Sequence, residues 1–434
     1  MTTVHRPDAM PYSSLAHLRD DPRLSTLSRL QHSSPMVDAV IDEVRGRRIR
    51  VEDHWLADFA SCNYLGFDLD PEIAASIDEQ IGRWGTHPSW SRLLGNPRLY
   101  PEIEERLTEL LGAPDTLVLP TITHIHASVL PVLAAGGTLM LEAQAHRTLY
   151  DGARIAATDG ATVHRFRLDD SDRLVHLLRK APVHAPRVVV ADGVNSMTGN
   201  PPNLPLLARI CREHGALLYI DDAHGFGVLG ERDLEETSPY GRRGNAIVRY
   251  FDESYDDIVL VGGFSKAYSS LLAFLTAPTW LKEHLKVAAH PYLYSGPSPT
   301  ASLATVLAGF TVNSRRGDVL RADLYRKAER LLDHLDMLGV HTPNVSGLPI
   351  VEIPLADADD LDAVGRLLWD AGIYVTLAAY PLVPRASVGF RVQITAANTD
   401  DEVDELLAAI TDLAQRSLLR SAGDDRPLRA ASGT

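Results

Sequence analysis

Between residues 116 and 263 the chain repeats one pattern, in which a short apolar run is followed by an amphipathic helical segment. The apolar runs include TLVLP, GGTLMLEA, RVVVADGV, ALLYIDDAH and IVLVGG. Strands that are apolar at nearly every position need cover on both faces, and the intervening helices supply that cover. The pattern predicts an α/β fold with a large, mostly parallel sheet that carries helices on both faces.

The pattern changes after Ser298. Two long helical patterns precede the strand LPIVEIPL, and a helix, two strands and a last helix follow. This order predicts a smaller C-terminal α+β domain. The predicted organisation is an N-terminal arm with small strands (1–58), a large domain that contains the main sheet (59–298), a small domain (299–422) and a flexible tail (423–434).

Charge and composition exclude several classes of partner. The chain has 42 Lys and Arg against 57 Asp and Glu, a net charge of −15, which disfavours nucleic acid and anionic membranes. No apolar run reaches membrane-spanning length, and the first residues lack a signal core. The two cysteines, Cys62 and Cys211, cannot form a disulfide framework. These features predict a soluble cytoplasmic protein without a metal site.

A glycine motif follows the strand ALLYIDDAH. Gly225, Gly227 and Gly230 match G-x-G-x-x-G, which in dinucleotide-binding folds opens a helix. Here the polar segment ERDLEETSPYGRRG follows, without an apolar helical stripe. The match therefore favours an ordinary loop, and a dinucleotide dehydrogenase is left as a weak alternative.

Polar residues capable of chemistry stand at the ends of two predicted strands. Asp221 ends one apolar run, and Lys266 closely follows the next, IVLVGG. Ligands bind at the carboxyl edge of parallel sheets, and a buried carboxylate needs a cation or donor there. Lys266 is either a solvated residue at a strand end or an amine that bonds a carbonyl. An acid beside a reactive lysine suits a ligand with a basic ring nitrogen and an aldehyde, as in pyridoxal phosphate.

Several motifs occur together in the order of one known family. They are NYLGF, SRLLGNPRLYPEIEERL, GVNSMTGN, YIDDAHGFGVLG, GGFSKAYSS and FRVQITAANT. From about Asp58 to Leu413 the chain resembles the α-oxoamine synthases, which are pyridoxal-phosphate enzymes of fold type I. The resemblance implies that fold and that cofactor.

The resemblance also implies residue roles around the cofactor. Lys266 would form the Schiff base, and Asp221 would pair with the pyridine nitrogen. His224 would bind the ring hydroxyl, His146 would stack on the ring, and Ser196 would lie beside it. We expect Lys266, Asp221, His146 and His224 to act in catalysis.

The substrate and phosphate positions follow the family less closely. The resemblance assigns the amino-acid carboxylate to Arg391, with Asn63 as a second substrate residue. Gly263 stands where the family usually has a phosphate-binding Thr, and Gly296 replaces a second one. We expect the phosphate to be held by four residues, Thr121, Ile122, Gly263 and Ser265, partly through backbone N–H groups. As a hypothesis, the hydroxyls of Thr121 and Thr123 replace the two lost ones.

The implied reaction is a decarboxylative Claisen-type condensation of an α-amino acid with an acyl thioester in a homodimer with a shared active site. Ala379, Leu382 and Met36 replace residues that some relatives use near the acyl donor, so coenzyme A and an acyl carrier protein both stay open as donors. An aminotransferase or an aldolase or lyase of the same fold type is the main alternative. A non-catalytic partner subunit is a distant one, because that class lacks the lysine.

Overall fold

The computed structural model describes residues 25–233 and 238–423. The beginning of the predicted arm and nearly all of the predicted flexible tail lie outside these residues. The strands are β1 (Glu43–Arg45), β2 (Arg48–Val51), β3 (His54–Asp58), β4 (Thr116–Leu119), β5 (Thr138–Glu142), β6 (Thr162–Phe166), β7 (Arg187–Asp192), β8 (Leu217–Asp221), β9 (Ile258–Gly263), β10 (Ala273–Thr276), β11 (Ile350–Pro354), β12 (Ile373–Tyr374), β13 (Thr376–Ala378) and β14 (Gly389–Gln393).

The helices cover the sheet and build the second domain. They are α1 (Ser25–Ser33), α2 (Pro71–Trp84), α3 (Leu99–Leu111), α4 (Ile122–Leu133), α5 (Arg147–Thr158), α6 (Ser171–Lys180), α7 (Leu204–Glu213), α8 (Ala246–Tyr250), α9 (Thr279–Ala288), α10 (His290–Tyr294), α11 (Thr300–Met337), α12 (Leu361–Asp370) and α13 (Asp400–Gln415). In the described parts of the chain, no helix is both long and apolar enough to cross a membrane.

The central sheet has the strand order β4-β10-β9-β8-β7-β5-β6. All its pairings are parallel except those of β10, which runs antiparallel to both β4 and β9. Successive residues of β7 enter different cores, with Val188 and Val190 in one and Val189 in the other. Side chains alternate across a strand, so both faces of this sheet are covered. The predicted α/β fold is confirmed.

The carboxyl ends of β7, β8 and β9 bring polar residues to one edge. Asp192 of β7 pairs directly with Asp221 of β8. β9 ends at Gly263, three residues before Lys266. The register therefore places two carboxylates and the lysine at the edge where parallel sheets bind ligands.

The C-terminal part contains a three-stranded antiparallel sheet with the order β11-β14-β13. The two helical patterns predicted before it are one helix, α11, so that prediction of two helices was wrong. The polar stretch between the patterns, 311–320, does not end the helix and is bonded to the turn at Arg243. Asn313 Nδ2 donates to the carbonyl of Arg243 at 2.9 Å, and the Arg243 N–H donates to Asp318 Oδ1 at 2.8 Å. These bonding partners come from far away in the chain.

The N-terminal strands join the C-terminal part of the chain. β1, β2 and β3 form a sheet with β12, and β3 pairs with β12 in parallel. The segment predicted as an arm with small strands also contains a helix, α1. The domain boundaries stay a prediction.

Candidate active site

A cavity of about 280 Å³ opens at the carboxyl edge of the central sheet. Nine residues predicted for the site line it: Thr121, Ile122, Thr123, His146, Ser196, Asp221, His224, Ser265 and Lys266. Gly263, Arg391 and Asn63 lie outside its wall. The amide of Asn63 donates to Asp68 at 3.0 Å, and the neighbouring Tyr64 is the residue of that segment that contacts His224.

Lys266 lies in a tight turn after β9. Its carbonyl accepts a hydrogen bond from the Ser269 N–H at 2.9 Å, and Ser270 N–H donates to Phe264 at 2.9 Å. Lys266 is half-buried, and its side chain lines the cavity. The turn thus fixes the backbone and presents the amine to the space in front of Asp221.

Asp221 is held by partners on both of its oxygens. Oδ1 accepts the Ala223 N–H at 3.1 Å, and Oδ2 lies 2.9 Å from His126 Nε2. Burial alone would raise the pKa of Asp221, but His126 and Lys266 outweigh it and the pKa is lowered. Asp221 is therefore a buried anion at neutral pH, which suits a protonated ring nitrogen.

His126 is a site residue that sequence reasoning missed. It is fully buried on α4, and its Nδ1 lies 2.9 Å from the Tyr219 hydroxyl. Since an ionised Asp221 can only accept, Nε2 carries the hydrogen and donates to it. The only signal in the sequence is a histidine on the apolar face of a helix, which usually marks an ordinary core residue.

Asp192 is a second missed residue, and its electrostatics are opposite to those of Asp221. Oδ1 accepts the His146 N–H at 3.0 Å, while buried Oδ2 has no hydrogen-bond partner among the described residues. Burial and the charge of Asp221 raise its pKa well above the usual value. Asp192, which lines the cavity wall, therefore keeps its proton to higher pH than Asp221 does.

Both predicted histidines are neutral at pH 7. Burial lowers the pKa of His146 and lowers that of His224 further. The Tyr64 hydroxyl lies 2.7 Å from His224 Nδ1, and burial raises the pKa of Tyr64. Tyr64 therefore donates to Nδ1, which leaves the Nε2–H of His224 for a ligand. His146 caps α5, and its Nδ1 lies 2.8 Å from Thr148 Oγ1.

Arg391 reaches the site from the small sheet. Its Nη1 donates to the backbone carbonyl of Ser196 at 2.6 Å. Its buried Nε has no hydrogen-bond partner in the part of the chain that the structure describes. The Nε–H of Arg391 can therefore donate a hydrogen bond to a ligand beside the cavity wall.

The N-terminus of α4 and the end of β9 meet at one end of the cavity. Thr121 caps α4, and its Oγ1 accepts the His124 N–H at 3.2 Å. A Cβ at Gly263 would lie 2.6 Å from Ile122 Cδ1, closer than such atoms approach. Ile122 thus fills the space that a side chain at position 263 would need, which explains Gly263 there.

The residues present fit pyridoxal phosphate. The anionic Asp221 suits the pyridine nitrogen, and the free Nε2–H of His224 suits the ring hydroxyl. The helix N-terminus at Thr121 and the hydroxyl of Ser265 suit the phosphate, because N-terminal N–H groups bind anions. The predicted roles of Thr121 and Thr123 as phosphate ligands stay a prediction.

The contact between Ile122 and Gly263 makes the two positions interdependent. We expect Gly263→Thr alone to lower the free energy of unfolding by about 1–3 kcal/mol, because it overpacks the contact. Ile122→Ala should make room, so the double variant should recover much of that loss. Thermal unfolding of all four proteins measures this coupling, and strictly additive effects would contradict it.

The link between His126 and Asp221 predicts a change in pH dependence. His126→Leu removes a contact that lowers the pKa of Asp221, so that pKa rises. We expect the acidic limb of kcat/KM to move to higher pH. His126→Gln, which keeps an N–H donor, should move it less. Equal profiles for the wild type and His126→Leu would show that His126 only fills space.

Comparison with known proteins assigns the chain to a family. The family model "Aminotransferase class I and II" matches residues 58–410. The chain is 34% identical over 355 residues to an 8-amino-7-oxononanoate synthase of Chromohalobacter salexigens, which covers 81% of this chain and 88% of that relative. It is 32% identical over 352 residues to a serine palmitoyltransferase of Caulobacter vibrioides, covering 80% of this chain and 82% of that one.

Solved structures show the same fold. A serine palmitoyltransferase of Sphingomonas wittichii superposes with a TM-score of 0.84 at 24% identity, over 93% of this chain and 98% of that one. A serine palmitoyltransferase of S. paucimobilis, solved with a bound adduct of pyridoxal phosphate and myriocin, gives 0.83 at 23% identity, over 93% and 98%. The predicted family is confirmed: the chain belongs to the class I and II aminotransferase family and, within it, to the α-oxoamine synthases.

Proposed function

We propose that this chain is a cytoplasmic, pyridoxal-phosphate-dependent acyltransferase. It condenses an α-amino acid with an acyl thioester and gives an α-amino ketone, carbon dioxide and a free thiol. One observation carries the proposal: a single cavity joins Lys266 to a buried anionic carboxylate, Asp221, between two neutral histidines. The relatives named 8-amino-7-oxononanoate synthase and serine palmitoyltransferase support this reaction over others of the same fold type.

Each residue has a separate task in this proposal. Pyridoxal phosphate, when bound, supplies an electron sink for charge that develops at Cα of the amino acid. Asp221 would keep the proton on the pyridine nitrogen, and the Nε2–H of His224 would bind the ring hydroxyl. Lys266 would hold the cofactor covalently, and its amine would take the Cα proton of the substrate. His146 would limit the entry of water to the cavity that it lines.

The bonds of the reaction balance with the uptake of one proton from solvent, because the leaving thiolate and Cα each take a proton and Cα releases only one. Cα loses its proton to Lys266 and bonds the acyl carbon, while the carbon–sulfur bond breaks and the thiol leaves. Arg391 holds the substrate carboxylate through its guanidinium until the carbon–carbon bond to that carboxylate breaks. Carbon dioxide leaves, and Cα regains a proton.

We also propose that two copies of the chain complete the site. Trp90, Leu94 and Tyr294 are 57%, 81% and 81% exposed, which is unusual for large apolar side chains. Their segments lie together, since Arg92 stacks over Tyr292 at 4.8 Å. In the cavity wall, Leu271 is also exposed. A second copy would cover this surface, and a measured mass of about 47.5 kDa for the cofactor-loaded protein would contradict it.

A two-substrate assay tests the proposal. The cofactor-loaded protein is incubated with each amino acid, with and without acyl-coenzyme A or an acyl carrier protein thioester, and free thiol is measured. Thiol release that requires both substrates is expected. Formation of an oxo acid without thiol release would instead indicate an aminotransferase, and cleavage of a β-hydroxy amino acid would indicate an aldolase.

A further inference from the structure

Three cross-strand neighbours form a row on one face of the small sheet. Arg391 on β14 lies directly opposite Glu352 on β11 and Thr376 on β13. Directly opposite residues of antiparallel strands project to the same face, with Cβ atoms about 4.5–5.5 Å apart. The carboxyl of Glu352 is therefore the neighbour of the guanidinium that we assign to the substrate carboxylate.

This pair is buried but incompletely bonded. Glu352 is only 3% exposed, and its Oε1 has no hydrogen-bond partner among the described residues. The same holds for Nε of Arg391, while Nη1 of Arg391 is turned to Ser196. A buried carboxylate beside an arginine usually forms a two-pronged ion pair with it. Here the Nε–H of Arg391 is an unused donor and Oε1 of Glu352 is an unused acceptor, as far as the described residues go.

Burial raises the pKa of Glu352 to about 7, although the charge of Arg391 opposes the rise. Glu352 therefore changes its charge within the physiological range. The other titratable groups on which the charge of Arg391 acts do not, since His146 and His224 stay neutral and Tyr64 stays protonated in that range. Besides Arg391, Lys266 is a side chain whose charge lowers the pKa of both histidines.

We propose that Glu352 controls how tightly Arg391 binds the carboxylate of the amino-acid substrate. The inference rests on the proposed function and adds a positioning residue to it. When Glu352 carries its proton, the whole charge of Arg391 serves the substrate. When Glu352 is ionised, it competes for Arg391 and repels the incoming carboxylate.

The sign of the pH effect follows from this competition. Two carboxylates beside one guanidinium disfavour double ionisation, so substrate binding raises the pKa of Glu352 further. Binding is strongest below pH 7, where the proton is already present. Above pH 7 the protein must take up a proton to bind, and the affinity falls as the pH rises.

The test compares Kd for one amino acid in the cofactor-loaded wild type and in Glu352→Gln, from pH 6 to 8.5, by the absorbance change on binding. Glutamine keeps the shape but cannot ionise. The ratio of the wild-type Kd to the variant Kd should be pH-independent near pH 6 and should increase about tenfold between pH 6 and 8. Glu405→Gln, which removes a charge at the surface next to Arg48, should follow the wild type.

A second measurement needs no variant, in case Glu352→Gln does not fold. In the wild type, Kd is also measured for the amine that lacks only the carboxylate of the amino acid. The ratio of the amino-acid Kd to the amine Kd should rise above pH 7. Parallel pH curves in both comparisons would overturn the role of Glu352 and leave the proposed function intact. Absence of an absorbance change with any amino acid at any pH would overturn the proposed function as well.

Discussion

The Lys266→Ala protein is expected to lose covalent attachment of the cofactor and nearly all thiol release. The amine of Lys266 lines the cavity in front of Asp221, and we assign it both the resting bond to the cofactor and the transfer of the Cα proton. A positioned general base contributes about 10²–10⁴-fold to a rate. The loss in kcat should be at least of that order, because the same side chain has two tasks.

Borohydride reduction followed by mass spectrometry separates the two tasks. The wild-type protein should retain the cofactor mass on the peptide that contains Lys266, and Lys266→Ala should retain none. Lys286→Ala is a suitable control, since that lysine lies on α9 and pairs with Glu283 at 2.6 Å. Full thiol release by Lys266→Ala would show that the chemistry takes place elsewhere.

The second large effect is expected for Asp221→Asn. The ionised Asp221 favours a proton on the pyridine nitrogen, and the neutral amide cannot do so. We expect kcat to fall by about 10²–10⁴-fold, because a ring without the proton on its nitrogen would be a weaker electron sink. The absorbance spectrum of the bound cofactor should change at the same time, because the ring loses its charge.

The neighbouring Asp222 provides a matched control at the same strand end. It is also buried, but burial raises its pKa well above the usual value, whereas the pKa of Asp221 is lowered. Its Oδ2 accepts the Ile247 N–H at 2.9 Å, a bond that an amide oxygen can accept equally well. Asp222→Asn should therefore keep most of the activity. Equal losses in the two variants would show that Asp221 acts through structure and not through its charge.

The sequence was sufficient to place residues whose position is fixed by one strand. Asp221 and Lys266 follow apolar runs, and the end of a buried parallel strand is a ligand edge in any protein of this class. The mostly parallel sheet could be predicted for the same reason, because its strands are apolar on both faces.

Residues whose role depends on pairing between distant segments could not be predicted. His126 contacts Asp221 only because α4 packs against the sheet beside β8, and Asp192 faces Asp221 only through the strand register. Ile122 and Gly263 look like two unrelated departures until the structure brings them into contact. The burial and the cross-strand partner that raise the pKa of Glu352 likewise exist only in the folded chain.

In the proposed reaction, the substrate loses its carboxylate and one thiol is released. The direct measurement uses the amino acid labelled with ¹³C in its carboxyl group, together with the acyl thioester that gives thiol release. We predict one labelled carbon dioxide for each free thiol, and an α-amino ketone without the label. A product that keeps the labelled carboxyl, or labelled carbon dioxide released without any thioester, would contradict the account.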